Sequence, residues 1–369
     1  MPVNEQETLG RIRDAARRLA ERDELEKPSA PASSAAEFGL PEADGLPELS
    51  AGVVLVGGGA KGAYQVGALQ CLAEAGLRPA GLLGTSIGAL NAAVVASHGS
   101  LWDGVRNLVE IWREAGAAAR PLGRASTDRL AEAETKGLSP TQARSVLTAL
   151  GSPVLRPGFL RDLVVRHVTS PTIPTWVSAF PSGDPDLVPQ LQIWIDDLVG
   201  AGLGRQAEWF ALHELPLPEV RDAVLASSAL PLLLDSQRIM GRHYIDGGLG
   251  ARPQIGLGDN TPIDSLVTRT GSRLVIVIHL RPGQLWDRHR ISGAQILEIR
   301  PSGPLAPSGL GGQLAGMLDF SPERFEALRK LGYLDAQARV ATWRGVLGAH
   351  QAARESAQAL LEAISRLSE

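Results

Sequence analysis

The chain has 369 residues, 44% of them hydrophobic and 21% charged, with a mean hydropathy of +0.01. That composition fits a folded chain of one large or two ordinary domains and excludes wholesale disorder and fibrous repeats. Thirty-six basic against forty acidic residues give a net charge of −4 with no basic stripe, which excludes the electrostatic footprint of a nucleic-acid binder, and the single Cys71 excludes disulfide scaffolds and thiolate metal sites.

In chain order, residues 5–27 place Leu9, Ile12, Ala16 and Leu19 at helical spacing among dense mixed charge, so a charged helix with one thin apolar face is expected. Residues 28–50 are rich in Pro, Ala, Ser and Glu and read as a flexible linker, with the folded core beginning near Ala51. The first residues carry neither a basic leader nor an apolar run. The expectation is a cytoplasmic chain, at most peripheral to a membrane, with leaderless export left open.

From there strands and helices alternate. Strands are predicted at 52–56 and 81–83, helices at 62–75 and 87–97, and further strands at 175–179, 243–245, 274–279 and 295–299. This alternation predicts an α/β fold with a mainly parallel central sheet flanked by helices. Residues 115–152, rich in Ala, Gly and Arg, predict a helical insertion placed to act as a lid. Ser321-Pro322-Glu323 pairs an N-cap with Pro at the first helical position and opens a helical region running to Leu367. No internal repeat occurs. The longest apolar runs, around 224–234 and 274–280, are too short and too interrupted to cross a membrane.

Three local patterns carry chemistry. Gly57-Gly58-Gly59-Ala60-Lys61-Gly62 joins a strand to a helix, and such a turn exposes backbone N–H groups that stabilise negative charge. A dinucleotide site would also need a carboxylate at the end of the second strand, where Leu83 and Gly84 stand. An anion hole is therefore the better reading. Lys61 either lends positive charge there or is an exposed structural residue.

Gly84-Thr85-Ser86-Ile87-Gly88 occupies that second strand end. Small residues two places either side of a Ser permit a sharp turn that projects its Oγ outward. Composition alone yields about 0.3 such pentapeptides in a chain this long, so its position between strand and helix decides the matter. The Ser hydroxyl needs a base. A Ser-His-Asp order can draw on His98, His167, His213, His243, His279, His289 or His350, none of which sits in a distinctive turn. The third pattern, Tyr244-Ile245-Asp246-Gly247-Gly248, offers an Asp at a strand end that could accept the Ser proton directly.

These three blocks, in this order, resemble the patatin-like phospholipase family. Leu225-Ala226-Ser227-Ser228-Ala229-Leu230-Pro231 and Asp259-Asn260-Thr261-Pro262 are similar to further segments of that family, and Leu318-Asp319-Phe320-Ser321 with Gly332-Tyr333 resembles the tail of bacterial members. The likeness spans roughly residues 53–280. Residues 249–258 lengthen the usual spacing after Asp246-Gly247-Gly248, and Val56 stands where plant members carry Asp.

The resemblance implies a three-layer α/β catalytic domain over residues 51–300 with a helical region, 301–369, packed on it. It implies Ser86 as nucleophile, Asp246 as base, and the amides of Gly57, Gly58 and Gly59 as oxyanion hole, with Gly62, Gly84, Gly88, Gly247 and Gly248 shaping the turns and no metal or cofactor. The implied substrate is a lipid ester, a phospholipid or lysophospholipid, met through peripheral membrane contact, and a protein activator is left open. Two rival readings stand beside it: a Ser-His-Asp esterase of small soluble esters, and a non-enzymatic nucleotide- or anion-binding protein. Trp102, Trp112, Trp176, Trp194 and Trp209 are read as core residues ahead of an acyl pocket, and Cys71 as a buried structural residue.

Overall fold

The computed structural model describes residues 50–119, 158–185, 206–229, 236–250, 263–283, 293–307 and 309–367. The expected N-terminal helix and linker up to residue 49, the bulk of the predicted lid, Trp194 and the segment 259–262 lie outside them. Among the described residues an eight-stranded sheet runs in the order β5-β6-β3-β2-β1-β7-β8, with β4 (Glu208–Ala211) paired to β3. Its parallel centre is β1 (Ser50–Leu55), β2 (Arg78–Thr85), β3 (Thr175–Pro181), β7 (Leu274–Ile278) and β8 (Gln295–Ile299). β5 (Gln237–Ile239) and β6 (Arg242–Asp246) form a hairpin antiparallel to β3. The fold is thus the expected mainly parallel sheet with flanking helices.

Burial explains why the central strands were readable. Leu274–Ile278 is an unbroken β-branched and aliphatic run buried at every position, as a parallel strand covered on both faces must be. β4 and β5 escaped prediction because one is half-buried along its length and the other has three residues. The first predicted helix divides into a 3-10 turn, Gly59–Gly62, and α1 (Ala63–Glu74). α2 (Ile87–Ala96) follows β2, and α3 (Leu101–Ala118) takes in the first four residues of the segment read as a lid. α4 (Phe159–His167), α5 (Leu217–Ser227), α6 (Ile263–Thr270) and α7 (Gly309–Leu318) complete the flanks. α8 runs from Pro322 to Leu367, opening where the Pro signal placed it, and its N-terminal half packs along α1.

Chain order fixes where a site can form. β2 and β3 are laid down to one side of β1 and β7 and β8 to the other, so the chain reverses direction beside β1 and opens a crevice at the C-terminal edge of the sheet. The Gly-rich turn leaves β1 into that crevice. Cys71 is buried on α1, as read. Trp112 and Trp176 are buried and Trp209 half-buried, whereas Trp102 is 39% exposed and does not belong to the core. The difference follows from helix periodicity: α3 buries Leu101, Val105, Leu108 and Trp112 along one face, and Trp102 lies on the other beside Asp103 and Arg106. No described helix is long and apolar enough to cross a membrane.

Candidate active site

Ser86 stands between the last residue of β2 and the first of α2 with φ 56° and ψ −129°. A left-handed φ at a residue with a Cβ costs about 1–3 kcal/mol and persists only where the surroundings impose it. Here they do. The Ser86 N–H donates to Ser227 Oγ at 2.9 Å, its carbonyl accepts from Ala89 N at 2.8 Å, and Ser228 Oγ reaches the same carbonyl at 3.3 Å. Gly84 and Gly88 allow the turn to close: a Cβ on Gly84 would collide with the Gly88 carbonyl, and one on Gly88 with the Leu55 carbonyl of β1.

Asp246 ends β6, level with Ala179 of β3, while Thr85 of β2 is level with Ser178. The registers alone bring the two strand ends together. Ser86 Oγ donates to Asp246 Oδ2 at 2.6 Å, and both residues are buried, at 4% and 3% exposure. The second carboxylate oxygen accepts the Gly248 N–H at 2.8 Å, and the Asp246 N–H donates to the Ala229 carbonyl at 2.9 Å. Gly247 lies against Ser178, whose Oγ shares a 2.8 Å hydrogen bond with Thr85 Oγ1. Burial pushes the Asp246 carboxyl up from 3.8 to about 6, opposed by the Ser86 hydroxyl and the Gly248 amide. It is therefore ionised near neutrality yet a stronger base than an ordinary Asp.

The Gly-rich turn covers this pair from the β1 side. A Cβ on Gly57 would lie 3.0 Å from the Ser86 Cβ, so the turn touches Ser86 itself. Gly58 packs on Leu280, and Gly59, at φ 59°, on Met317. A buried polar chain holds the turn: Gln65 Nε2 donates to the Val56 carbonyl at 2.7 Å, Asn91 Nδ2 to Gln65 Oε1 at 2.9 Å and to the Gly62 carbonyl at 3.2 Å, and Trp112 Nε1 to Asn91 Oδ1 at 3.0 Å. Lys61 is 2% exposed, which corrects the reading of it as an exposed residue, and its Nζ donates to Gln313 Oε1 at 3.3 Å. Its burial, with Arg281 and Arg324 nearby, pushes the ammonium down to about 8.

The described histidines lie elsewhere. His98 and His167 both engage Asn107, His213 meets the Thr175 backbone, His243 bonds Ser236, and His279 lies 4.0 Å from Glu298. Among the described residues none is bonded to Ser86 or Asp246. His289 and the side chain of His350 lie outside them. In the sequence Ser227 and Ser228 stand out only as part of the 225–231 block. Their contact with Ser86 joins residues 141 and 142 positions apart, and no local pattern announces it.

A chemical reading follows from this arrangement. A buried hydroxyl hydrogen-bonded to a carboxylate of raised pKa, beneath a turn of consecutive glycines, can undergo acyl transfer. No group of three or more potential metal-ligating side chains occurs among the described residues. In comparisons with known proteins, the family model described as patatin-like phospholipase matches residues 53–267, more than half of the chain. No curated protein matches. Solved structures similar to this chain include VipD from Legionella pneumophila, at 15% identity and TM-score 0.38, covering 80% of this chain and 67% of that one. Another is the heterodimeric ExoU–SpcU complex from the type III secretion system of Pseudomonas aeruginosa, at 17% identity and TM-score 0.30, covering 79% of this chain and 52% of that one. The chain thus spans about half the length of that relative.

Proposed function

The chain belongs to the patatin-like phospholipase family, and we propose on that premise that it hydrolyses fatty acyl esters of phospholipids or lysophospholipids through Ser86 and Asp246. The observation that carries this reading is the direct 2.6 Å hydrogen bond from Ser86 Oγ to Asp246 Oδ2. Asp246 Oδ2 accepts the hydroxyl proton as Oγ attacks the ester carbonyl carbon. The tetrahedral oxyanion forms against the amides of Gly57, Gly58 and Gly59. Collapse breaks the bond to the leaving alcohol, which takes the proton back from Asp246, and leaves an acyl-Ser86 ester. Water then gives a proton to Asp246, attacks that ester, and releases the fatty acid as Oγ recovers its proton. The domain limits at 51–300 and 301–369 are part of the same proposal.

Asp246 must be ionised to act. A carboxyl raised to about 6 loses its basic form as pH falls through that value, so kcat/KM is expected to drop about tenfold per pH unit below it. An acid limb near the ordinary 3.8 would show that the base lies elsewhere.

Ser227 acts on the reaction through Ser86. In Ser227→Ala the Ser86 amide loses its acceptor in a buried turn, a change of about 1–3 kcal/mol. If that loss falls on the geometry of attack, kcat drops about tenfold or more while KM changes little. Steady-state kinetics on one phospholipid substrate reads this split, and an unchanged kcat contradicts the positioning role.

The hydrolase reading is tested by a lipid panel with seven single His→Ala variants. Each variant is expected to keep measurable phospholipid hydrolysis, since Asp246 reaches Ser86 without an intervening imidazole. One folded but inactive His variant would favour the Ser-His-Asp reading.

A further inference from the structure

The polar chain beneath the Gly-rich turn has a direction that can be read from its donors. Gln65 of α1 and Asn91 of α2 are both 0% exposed, and Trp112 of α3 is buried beside them. An indole N–H can only donate, so Asn91 has to turn its Oδ1 toward Trp112 Nε1, at 3.0 Å. Its amino group then faces the other way. One N–H goes to the Gly62 carbonyl at 3.2 Å and the other to Gln65 Oε1 at 2.9 Å. With Oε1 so engaged, Gln65 presents its own amino group to the Val56 carbonyl, at 2.7 Å. The indole thereby decides the orientation of two carboxamides, and the pair pins both ends of the segment 56–62.

The last bond of the chain matters because of the peptide it holds. The Val56 carbonyl shares a planar trans peptide with the Gly57 N–H, so the two point in opposite directions. That carbonyl points at Gln65 and lies 3.0 Å from where a Cβ on Gly88 would stand, between α1 and the start of α2. The Gly57 N–H therefore points away from both helices, on a residue packed directly against Ser86. Glycine has little conformational preference of its own. Without a partner for the carbonyl, this peptide could turn over and bring an oxygen where an N–H has to be. Apolar side chains could fill the same space without desolvating two amides and an indole, whereas a satisfied polar network specifies one arrangement.

We infer that Trp112, Asn91 and Gln65 form a positioning relay that sets the Val56–Gly57 peptide and so aims the Gly57 N–H at the oxyanion of the reaction. For that oxyanion the inference rests on the hydrolase reading. The three side chains act through the Gly-rich turn and are positioning residues, not catalytic ones.

Two variants of the full chain test it. Gln65→Met keeps the length and burial of the side chain but cannot donate to Val56. Asn91→Asp leaves Gln65 in place and reverses the relay: at about pH 8 the ionised carboxylate accepts from Trp112 and from Gln65, whose amide must then turn its Oε1 toward the Val56 carbonyl. Should Gln65→Met fail to fold, Asn91→Asp reaches the same peptide with a side chain of the same shape. In each variant kcat on one phospholipid substrate is expected to fall about 10- to 100-fold, approaching the loss of an oxyanion donor, while KM changes less than about threefold. Crystal structures of parent and variants read the peptide without any turnover, and the Val56 carbonyl should have left its place beside residue 65. A merely structural pair would lower the thermal midpoint and leave kcat per folded molecule unchanged. That result overturns the inference, and so does a Val56–Gly57 peptide oriented as in the parent. A parent that hydrolyses no lipid ester removes the hydrolase reading alone: a turned peptide then still upholds the relay, and an unmoved one overturns it.

Discussion

Asp246→Asn is expected to abolish ester hydrolysis and, at the same time, to make the protein more stable. The first effect follows from removing the acceptor of the Ser86 proton. Loss of a positioned general base in a unit that acts together costs about 10⁴-fold, and Ser86→Ala, which removes the proposed nucleophile, should cost at least as much. The second follows from the direction in which the carboxyl is shifted. Its pKa is raised on folding from 3.8 to about 6, so between those values the folded state binds more protons than the unfolded chain, and stability falls as pH rises. Above about pH 6 the full penalty is present, about 3 kcal/mol at 1.36 kcal/mol per pH unit. Asn keeps an oxygen for the Gly248 amide and offers an N–H to Ser86 Oγ without a buried charge. Urea unfolding at neutral and acid pH reads the prediction. The stability gain of Asp246→Asn should shrink toward zero as pH falls to about 4, and a variant less stable than its parent at pH 7 would contradict it.

The second large effect is expected far from the reacting atoms. Gly67 of α1 and Gly332 of α8 meet where the two helices cross. A Cβ on Gly67 would strike the Arg329 carbonyl, and a Cβ on Gly332 would strike the Tyr64 carbonyl. Both obstacles are backbone, so no rotamer change relieves them. Hydrogen bonds hold the crossing at this distance: Tyr64 Oη to Asp335 at 3.0 Å, Arg329 to Gln70 at 2.7 Å, and Tyr333 Oη to Glu74 at 2.6 Å. Helix propensity alone favours Ala over Gly by about 1 kcal/mol. The collision reverses that sign: Gly67→Ala and Gly332→Ala should each destabilise by about 1–3 kcal/mol, and Gly332→Val by more. Because α1 carries Gln65, which holds the Gly-rich turn, activity should decline together with α8 docking. Chemical denaturation of the Ala variants decides the point, and an unchanged or raised midpoint would show that the helices part easily.

These two predictions mark what the sequence did and did not disclose. The elbow around Ser86 and the strand end at Asp246 were legible because each depends on neighbours within a few residues: glycines either side of Ser86, and a glycine pair after Asp246. The parallel strands were legible because full burial demands continuous apolar runs such as 274–278. What escaped is pairwise and distant. Gly67 and Gly332 look like helix-weakening residues until their facing backbones are seen, and Ser227 looks like the end of α5 until its Oγ meets the Ser86 amide. For Lys61 the sequence left two roles open, and its burial, with Nζ bonded to Gln313, emerges only in the fold.

The central claim is that Ser86 is a nucleophile activated by Asp246, and active-site labelling tests it most directly. Treatment with a fluorophosphonate followed by peptide mass spectrometry should place one adduct on Ser86 in the parent protein. Ser86→Ala should show none, and Asp246→Asn should label far more slowly while remaining folded. An adduct on another serine, or full labelling of Asp246→Asn, would contradict the account.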